Sequence, residues 1–167
     1  MKLFVPKPIK DYPQLEKKHR LISHRGNVDG KYPQYENLPE YVDKALNLGY
    51  DVEVDLWIDN DGFYLGHDEP TYPIDLKWLT DRYLSLWIHC KNLRTVEGLR
   101  DLQNNTLTDL NYFFHNTDDC TITSRGHIWV YPGKQPVTNS IAVLPEWHDD
   151  DISKAYGICS DYIKKYK

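Results

Sequence analysis

The sequence predicts a single α/β domain, residues 1–167, built on about seven to eight mainly parallel strands. Three observations lead to this prediction. Short apolar stretches alternate with stretches of helical periodicity, one strand has an unbroken apolar face, and the chain is long enough to bury one core. Because several connections in the second half are too short for full helices, we favour a compact, reduced barrel with some helices shortened or missing. An open doubly wound sheet is the alternative.

The first half of the chain contains the clearest elements. Residues 1–18 carry prolines at positions 6, 8 and 13 and predict an extended N-terminal arm laid over the domain. Residues 21–23 predict a short strand that stops at a glycine turn. Apolar residues at helical spacing predict a helix over residues 38–48, capped by the glycine that follows. The turn at residues 59–62 predicts a hairpin, with a return strand over residues 63–65.

The strand predicted over residues 51–58 is the most informative element. Its side chains alternate between two faces, with Val52, Val54, Leu56 and Ile58 on one face and Asp51, Glu53, Asp55 and Trp57 on the other. Glu53 and Asp55 therefore point the same way, roughly 7 Å apart along the strand. A solvent-facing edge strand would also explain the acids. The apolar face, however, is typical of packing under helices, and carboxylates aimed into a barrel mouth are costly unless they bind a cation.

The second half of the chain predicts shorter elements. We expect one longer helix, over residues 93–102, and a short helix over residues 152–156 whose start carries three consecutive aspartates. The remaining apolar runs predict strands over residues 84–90, 112–115, 128–131, 141–144 and 158–160.

The aromatic content of the chain is high. Thirteen tyrosines and five tryptophans are present among 167 residues. Such rings predict either an aromatic-lined cavity or a core filled by large side chains, and the composition does not separate the two.

Charge and cysteine content exclude several classes of function. The net charge of −5, without a Lys/Arg cluster, argues against nucleic acid as the main partner. Cys90, Cys120 and Cys159 form no CxxC pair, so neither a zinc site nor a disulfide framework is indicated, and a reducing cytoplasm is expected. Residues 1–8 contain no long apolar run, so we expect neither a signal peptide nor membrane insertion.

Two histidines and an arginine lie at predicted strand ends or loops, where barrel enzymes place their chemistry. His24 and His67 flank the carboxylate pair and each lies next to a turn glycine, which favours an acid and a base over isolated surface or core histidines. Arg25 offers a planar fork to phosphate oxygens, although an ordinary salt bridge would explain it as well.

The order and spacing of these residues resemble a known family. The matching segments are His24-Arg25-Gly26, Glu36-Asn37, Glu53-Val54-Asp55, His67-Asp68 and the final run Gly157-Ile158-Cys159-Ser160-Asp161-Tyr162. Together they resemble the glycerophosphodiester phosphodiesterases, which are phospholipase-C-like phosphodiesterases on a TIM barrel. The resemblance is specific over residues 20–70, recurs at residues 86–93 and 157–162, and is weak between. It implies a reduced TIM-type (β/α) barrel.

The resemblance also implies roles for individual residues. His24 and His67 would be the catalytic histidines, and Arg25 would bind the phosphate. Glu53 and Asp55 would hold one divalent cation. Glu36 and Asn37 would support these residues from behind.

Two departures from the family pattern matter. The family's third metal ligand is a glutamate two residues before a lysine, and here that position holds His89, while Lys91 keeps its expected phosphate contact. Imidazole suits Mn²⁺, Fe²⁺ or Zn²⁺ better than Mg²⁺ or Ca²⁺, so the identity of the metal stays open among Mg, Ca, Mn and softer ions.

The chain is also shorter than the roughly 200 residues of small TIM barrels. Its second half offers His115, Tyr131 and Glu146 as further pocket residues, although surface loops explain them equally.

The expected function is metal-dependent hydrolysis of a small phosphodiester, either a glycerophosphodiester or a polyol or sugar phosphodiester. One histidine, His24 by our preference, would take a proton from the attacking group, and His67 would protonate the leaving alkoxide; the roles are exchangeable. Two alternatives use the same residues. One is a non-catalytic module that binds a phosphorylated sugar or polyol, and the other is a phosphomonoesterase or a lyase that forms a cyclic phosphate. The only partner expected is the small phosphorylated substrate, and the oligomeric state stays open.

Overall fold

The computed structural model describes residues 19–106 and 108–167, which form a mixed α/β fold with a ten-stranded sheet. The strands are β1 (Arg20–His24), β2 (Asp51–Ile58), β3 (Phe63–Leu65), β4 (Tyr72–Ile74), β5 (Leu86–Cys90), β6 (Tyr112–Phe113), β7 (Cys120–Ile122), β8 (Ile128–Val130), β9 (Ser140–Val143) and β10 (Gly157–Ser160). The helices are α1 (Pro39–Asn47), α2 (Leu76–Asp81) and α3 (Leu93–Asn105), with 3₁₀ turns at Pro145–Trp147 and Ile163–Tyr166. Within the described residues, no helix has the length and apolar character needed to cross a membrane.

Parallel ladders connect most of the sheet. The order β6-β5-β2-β1-β10-β9-β8 is joined by parallel pairing throughout. Three short strands are antiparallel additions, with β3 on β2, β4 on β3 and β7 on β8. Because parallel strands all end at the same edge, the carboxyl ends of the central strands bring their following loops together.

The two ends of the parallel series approach one another without a ladder between β6 and β8 in the described sheet. The amide of Ser124 donates to the carbonyl of Tyr112 at 2.7 Å. The rings of Phe113 and Trp129 lie 4.5 Å apart between their centroids. The sheet is therefore curved, and its ends meet through a loop and aromatic side chains.

The outer face of the sheet packs under the helices. Val52, Val54 and Leu56 are fully buried there, in one apolar cluster with Ala45 of α1 and Leu99 of α3. The strand β2 is paired on both sides, by β1 and β5. The alternative of a solvent-facing edge strand is therefore excluded, because the acids of β2 point to the inner face and are buried.

The inner face of the sheet encloses a second apolar cluster. Its members come from strands on both sides of the curve, and they include Ile22, Trp87, Phe113, Trp129 and Cys159. The ring centroids of Trp87 and Trp129 lie 5.8 Å apart. Aromatic rings thus fill the lower interior and leave the polar ends of the inward-facing strands above them.

The predicted elements agree best where their periodicity is strongest. The strands over residues 51–58 and 63–65 have the predicted bounds. The strands predicted over residues 84–90, 112–115 and 128–131 are all present but shorter. The structure adds α2, β4 and β7, which periodicity does not reveal because each has six residues or fewer. The predicted N-terminal arm lies outside the described residues.

The helix predicted over residues 152–156 is wrong, because this segment forms turns. Its backbone groups bond to the neighbouring chain: the amide of Tyr156 donates to the carbonyl of Ser140, and the carbonyl of Lys154 accepts from Asn139. A segment of five residues is too short to be stable as an isolated helix. The contacts with the start of β9 therefore decide its conformation.

Gly66 is the glycine whose replacement we expect to be most disruptive to the fold. Its φ is +154°, and a Cβ atom there would lie 2.1 Å from the carbonyl oxygen of Glu69. Gly62 has a similar φ of +148°, but a Cβ atom there meets nothing within 4 Å. Gly62→Ala should therefore show the backbone strain alone, about 1–3 kcal/mol. Gly66→Ala should lower the free energy of unfolding further, by at least about 1 kcal/mol. Urea titration measures both, and equal losses would contradict the prediction.

Candidate active site

A cavity of about 450 Å³ opens at the carboxyl ends of the central parallel strands. It is the place where most of the predicted site residues meet. The predicted residues that line it are His24, Arg25, Glu53, His67, His89, Lys91, His115 and Tyr131. The sheet register explains this convergence, since β1, β2 and β5 are neighbours and end at the same edge.

His24 is oriented by a buried carboxylate. Its Nδ1 lies 2.7 Å from Oδ1 of Asp161, and the same oxygen accepts a hydrogen bond from Asn27 Nδ2 at 2.8 Å. Burial acts to raise the pKa of Asp161, but the hydrogen bonds from His24 and Asn27 hold it below its usual value. The aspartate is thus ionised at neutral pH, and Nδ1 of His24 donates to it. The other ring nitrogen, Nε2, is left to face Glu53, whose Oε2 lies 3.8 Å away.

Asp55 is fully buried and contacts four side chains, two through hydrogen bonds and two through ion pairs. Its Oδ2 lies 2.9 Å from Nδ2 of Asn37 and 2.9 Å from Nε of Arg25. Its Oδ1 lies 3.0 Å from Nδ1 of His89 and 3.3 Å from Nζ of Lys91. Burial alone would raise the pKa of Asp55, but the bond from His89 and the charges of Arg25 and Lys91 lower it well below its usual range. The carboxylate is therefore charged and holds three cavity-lining groups in place.

Arg25 is fixed from two sides. Besides Asp55, its guanidinium contacts Glu36 through Nη1 at 3.0 Å, and Glu36 also accepts from Asn27. The backbone amide of Asn37 donates to the carbonyl of Arg25 at 3.1 Å. Asn37 thus lies behind Arg25, whereas Glu36 contacts Arg25 and lines a neighbouring cavity, and part of the guanidinium is left to line the first cavity.

Glu53 has a free carboxylate oxygen. The residue is only 3% exposed, and its Oε2 has no hydrogen-bond partner. Burial and the neighbouring charge of Asp55 raise the pKa of Glu53. Glu53, Asp55 and His89 each offer a ligand atom, and these atoms lie within 4.8 Å of one another. A divalent cation fits this group through Glu53, provided that Asp55 exchanges its contact with His89 or Lys91 for the ion.

Parallel rings hold His89 in its orientation. Phe113 stacks with it at 5.3 Å and His115 at 4.3 Å between ring centroids, with interplanar angles of 4° and 8°. Nε2 of His115 lies 2.7 Å from the hydroxyl of Tyr131. Burial, followed by the proximity of His89, lowers the pKa of His115 to about 4. His115 is therefore neutral at neutral pH and forms a wall behind His89, whose Nε2 remains uncommitted.

His67 lies on the loop after β3, opposite His24. Its Nδ1 lies 2.6 Å from Oδ1 of Asp68, and the side chain is 44% exposed. Burial and the charge of Arg25 lower the pKa of His67. This histidine is consequently the more solvent-accessible of the two and the less firmly held.

Glu146 does not line the cavity, unlike the other residues proposed from the second half of the sequence. Its Oε1 accepts from the hydroxyl of Ser160 at 2.8 Å and from the amide of Asp161 at 3.2 Å. Glu146 therefore supports the end of β10 from behind the pair of His24 and Asp161. One of its carboxylate oxygens fixes the turn after β10 instead of facing this cavity.

The sequence reasoning gave Asp161 no chemical role, although a signal for one was present. His24 ends β1, and Asp161 directly follows β10. In the parallel register, Ser23 pairs with Ser160, which places the next residue of each strand side by side. With the strand order known, the likeness of residues 157–162 to the last strand of the family would have suggested the contact between His24 and Asp161. Trp147 and Lys31, which line the same cavity, carried no comparable signal.

Comparison of the chain with protein-family models, with curated proteins and with solved structures gives no match. The likeness to the glycerophosphodiester phosphodiesterases thus stays a prediction from the matching segments. The chemistry of the site depends on its geometry.

The contacts of Asp55 lead to a prediction about stability. Asp55→Asn would leave Lys91 buried without its counter-charge and Arg25 with Glu36 alone, so we expect a loss of about 3–5 kcal/mol in the free energy of unfolding. Asp43 forms a comparable pair with Arg82 near the surface, at 2.6 Å, and provides a matched control. Asp43→Asn should cost at most about 1 kcal/mol, because that pair is hydrated. Urea titration of both variants is the measurement, and a loss at residue 55 no larger than at residue 43 would count against the role of Asp55.

Proposed function

We propose that the protein is a metal-dependent phosphodiesterase of the glycerophosphodiester phosphodiesterase type, which cleaves a small phosphodiester by acid–base catalysis. The observation that carries the proposal is the pair of His24 and Asp161. A buried aspartate orients a histidine whose free nitrogen faces a cavity lined by Arg25, Lys91 and a second histidine, His67. A base, an acid and anion-binding cations are the groups that phosphodiester cleavage requires.

The phosphate group would be bound by cationic side chains. Arg25 and Lys91 are held by Asp55 and line the cavity. Because Glu36 contacts Nη1 and Asp55 contacts Nε, the N–H groups of Nη2 of Arg25 remain for phosphate oxygens. These positive charges would stabilise the negative charge of the phosphoryl group during the reaction, in a site that is mostly shielded from water.

Proton transfer would be divided between the two histidines. Nε2 of His24 takes the proton from the attacking hydroxyl, and Asp161 stabilises the imidazolium that results. His67, in its protonated form, donates a proton to the departing alkoxide oxygen as the P–O bond breaks; because the pKa of His67 is lowered, this form is the minor one at neutral pH. The attacking group is either water or a neighbouring hydroxyl of the substrate, and the second case forms a cyclic phosphate first. Phosphorus NMR of the products distinguishes the two.

A divalent cation would be held by Glu53, Asp55 and His89. The unpartnered oxygen of Glu53 supports such a site. When bound, the cation supplies additional charge neutralisation at the phosphoryl oxygens. The imidazole of His89 favours Mn²⁺, Fe²⁺ or Zn²⁺ over Mg²⁺ and Ca²⁺.

We also propose that the fold is a reduced TIM-type barrel and that the protein is cytoplasmic. Seven parallel strands in one curved series, with contacts between β6 and the loop before β8, support a reduced TIM-type barrel. The thiols of Cys90, Cys120 and Cys159 are all free, and two of them are buried. Free thiols are typical of a reducing compartment, which supports a cytoplasmic location.

Binding without catalysis is the second candidate function. The four side chains that contact Asp55 favour this candidate, because these contacts hold Arg25, His89 and Lys91 in place without any cation. Such a module would bind a phosphorylated sugar or polyol. Calorimetry with a phosphodiester, run under several divalent metals and followed for turnover, separates this candidate from the enzyme.

The pair of His24 and Asp161 predicts a large loss of activity in three variants. His24→Ala, His67→Ala and Asp161→Asn should each lower kcat by about 10²–10⁴, because they remove the base, the acid and the group that orients the base. Asp43→Asn is the control. Asp43 pairs with Arg82 and is not in the cavity lining, so activity should stay within about threefold. Retention of near-parental activity by both histidine variants would overturn the mechanism.

The cation site predicts a dependence on the metal. A chelator should abolish turnover, and Mn²⁺ should restore it more effectively than Mg²⁺ or Ca²⁺. Glu53→Gln should weaken Mn²⁺ binding at least about 10-fold in calorimetry, because it removes a carboxylate ligand. The exposed Glu69 provides the control variant Glu69→Gln, which should bind as the parent does. His89→Glu should shift the preference towards Mg²⁺ and Ca²⁺. Turnover that is indifferent to the chelator, with Mn²⁺ binding unchanged in Glu53→Gln, would remove the metal from the proposal.

A further inference from the structure

The cavity that holds the charged residues has a second, aromatic side. Four aromatic side chains line the same cavity: Tyr131, Trp147, Trp129 and Phe113. Trp129 and Phe113 are 2% and 3% exposed and belong to the apolar cluster of the inner face, so they form the buried floor of the cavity. Phe113 stacks on His89 and Tyr131 bonds to His115, but Trp129 and Trp147 have no part in the proposed proton transfer or phosphate binding.

Trp147 is placed at the rim of the cavity by its local backbone. It ends the 3₁₀ turn Pro145–Trp147, which begins after Leu144 in the left-handed region at a φ of +45°. The amide of Trp147 donates to the carbonyl of Leu144 at 3.0 Å and closes this turn. The indole is 57% exposed while it lines the cavity, so one of its faces is available to a ligand.

We propose that this aromatic side binds a sugar ring carried by the substrate, and that Trp147 determines this specificity. The inference rests on the proposed function, since the phosphate of the same substrate lies at Arg25 and Lys91. A sugar ring presents an apolar C–H face to an aromatic ring and hydroxyl groups at its edge. Tyr131, Asn116 and Lys31 line the same cavity and offer polar groups for those hydroxyls.

An acyl chain fits the aromatic side less well. It would cover the polar side chains of Asn116 and Lys31 without giving their polar atoms a partner, which is costly when water is excluded. The buried floor of Trp129 and Phe113 also ends the cavity after about 450 Å³. A ring of compact shape with polar edges satisfies both constraints.

The second alcohol group of the phosphodiester would bind in a neighbouring cavity. A neighbouring cavity of about 410 Å³ shares Arg25, Lys31 and His67 with the first one, and its further lining includes Glu69 and Thr71. A phosphate bound at the shared residues would direct its two alcohol groups into different cavities. The second cavity has polar and acidic groups, so it suits a small hydroxyl-bearing alcohol. The preferred substrate is therefore a sugar phosphodiester of a small polyol.

The test compares two substrates that differ only in the alcohol at the aromatic side. A hexosyl phosphoglycerol and ethyl phosphoglycerol are supplied to the parent protein, and product release is followed by phosphorus NMR. We expect kcat/KM for the hexosyl compound to exceed that for the ethyl compound at least 10-fold. Trp147→Ala should remove most of this difference through KM, while the ethyl substrate changes less than threefold. Trp147→Phe should retain the preference, and Phe114→Ala, an exposed aromatic outside the cavity lining, should behave as the parent.

A binding measurement separates this inference from the catalytic proposal. Calorimetry compares a hexose 1-phosphate, ethyl phosphate and decyl phosphate on the same variants. If turnover is absent but the hexose phosphate binds at least 10-fold more tightly than ethyl phosphate, and only in proteins with an aromatic residue at position 147, the inference stands and the catalytic proposal fails. Equal binding of the hexose and ethyl phosphates overturns the inference. Tighter binding of decyl phosphate, lost in Trp147→Ala, overturns it in favour of an acyl chain.

Discussion

The buried carboxylate of Asp55 is the interaction on which the arrangement of the site depends. Its two oxygens accept hydrogen bonds from Asn37 and His89 and form ion pairs with Arg25 and Lys91, although the side chain is completely removed from water. A charge in such a place is tolerated only with several close partners, since each alone would not offset the loss of hydration. The partners come from β5 and from the loops that follow β1 and β5. Their common attachment to Asp55 joins separate strand ends into one surface that carries Arg25 and Lys91.

The parallel register explains how the pair of His24 and Asp161 is assembled. β1 and β10 are adjacent, with Ser23 opposite Ser160, so His24 and Asp161 emerge next to each other although they are 137 residues apart in the chain. The acids of β2 emerge on the next strand. Glu146 fixes the turn that carries Asp161, through the backbone amide of Asp161. The position of His24 beside Asp161 therefore depends on the whole central part of the sheet.

His89 changes the balance between two uses of the same residues. A glutamate at this position would add a negative charge beside Asp55 and Glu53 and increase the demand for a cation. The imidazole instead donates a hydrogen bond to Asp55, and it is held by the parallel rings of Phe113 and His115. The site thus has partners for Asp55 without an ion, while the free oxygen of Glu53 still offers a ligand. A cation bound to Asp55 would therefore have to compete with the side chains that already contact this carboxylate.

The sequence by itself determined the features that depend on neighbouring residues. The alternation along residues 51–58 placed Glu53 and Asp55 on the inner face, because successive side chains of any strand point to opposite sides. Contacts across the sheet required the tertiary structure, since they depend on strand order and register. Three features depend on this order and register: the bond from His24 to Asp161, the contact of Glu146 with the end of β10, and the position of Trp147 at the cavity. The short helix expected over residues 152–156 was wrong for the same reason, because its backbone bonds to residues beyond its own segment.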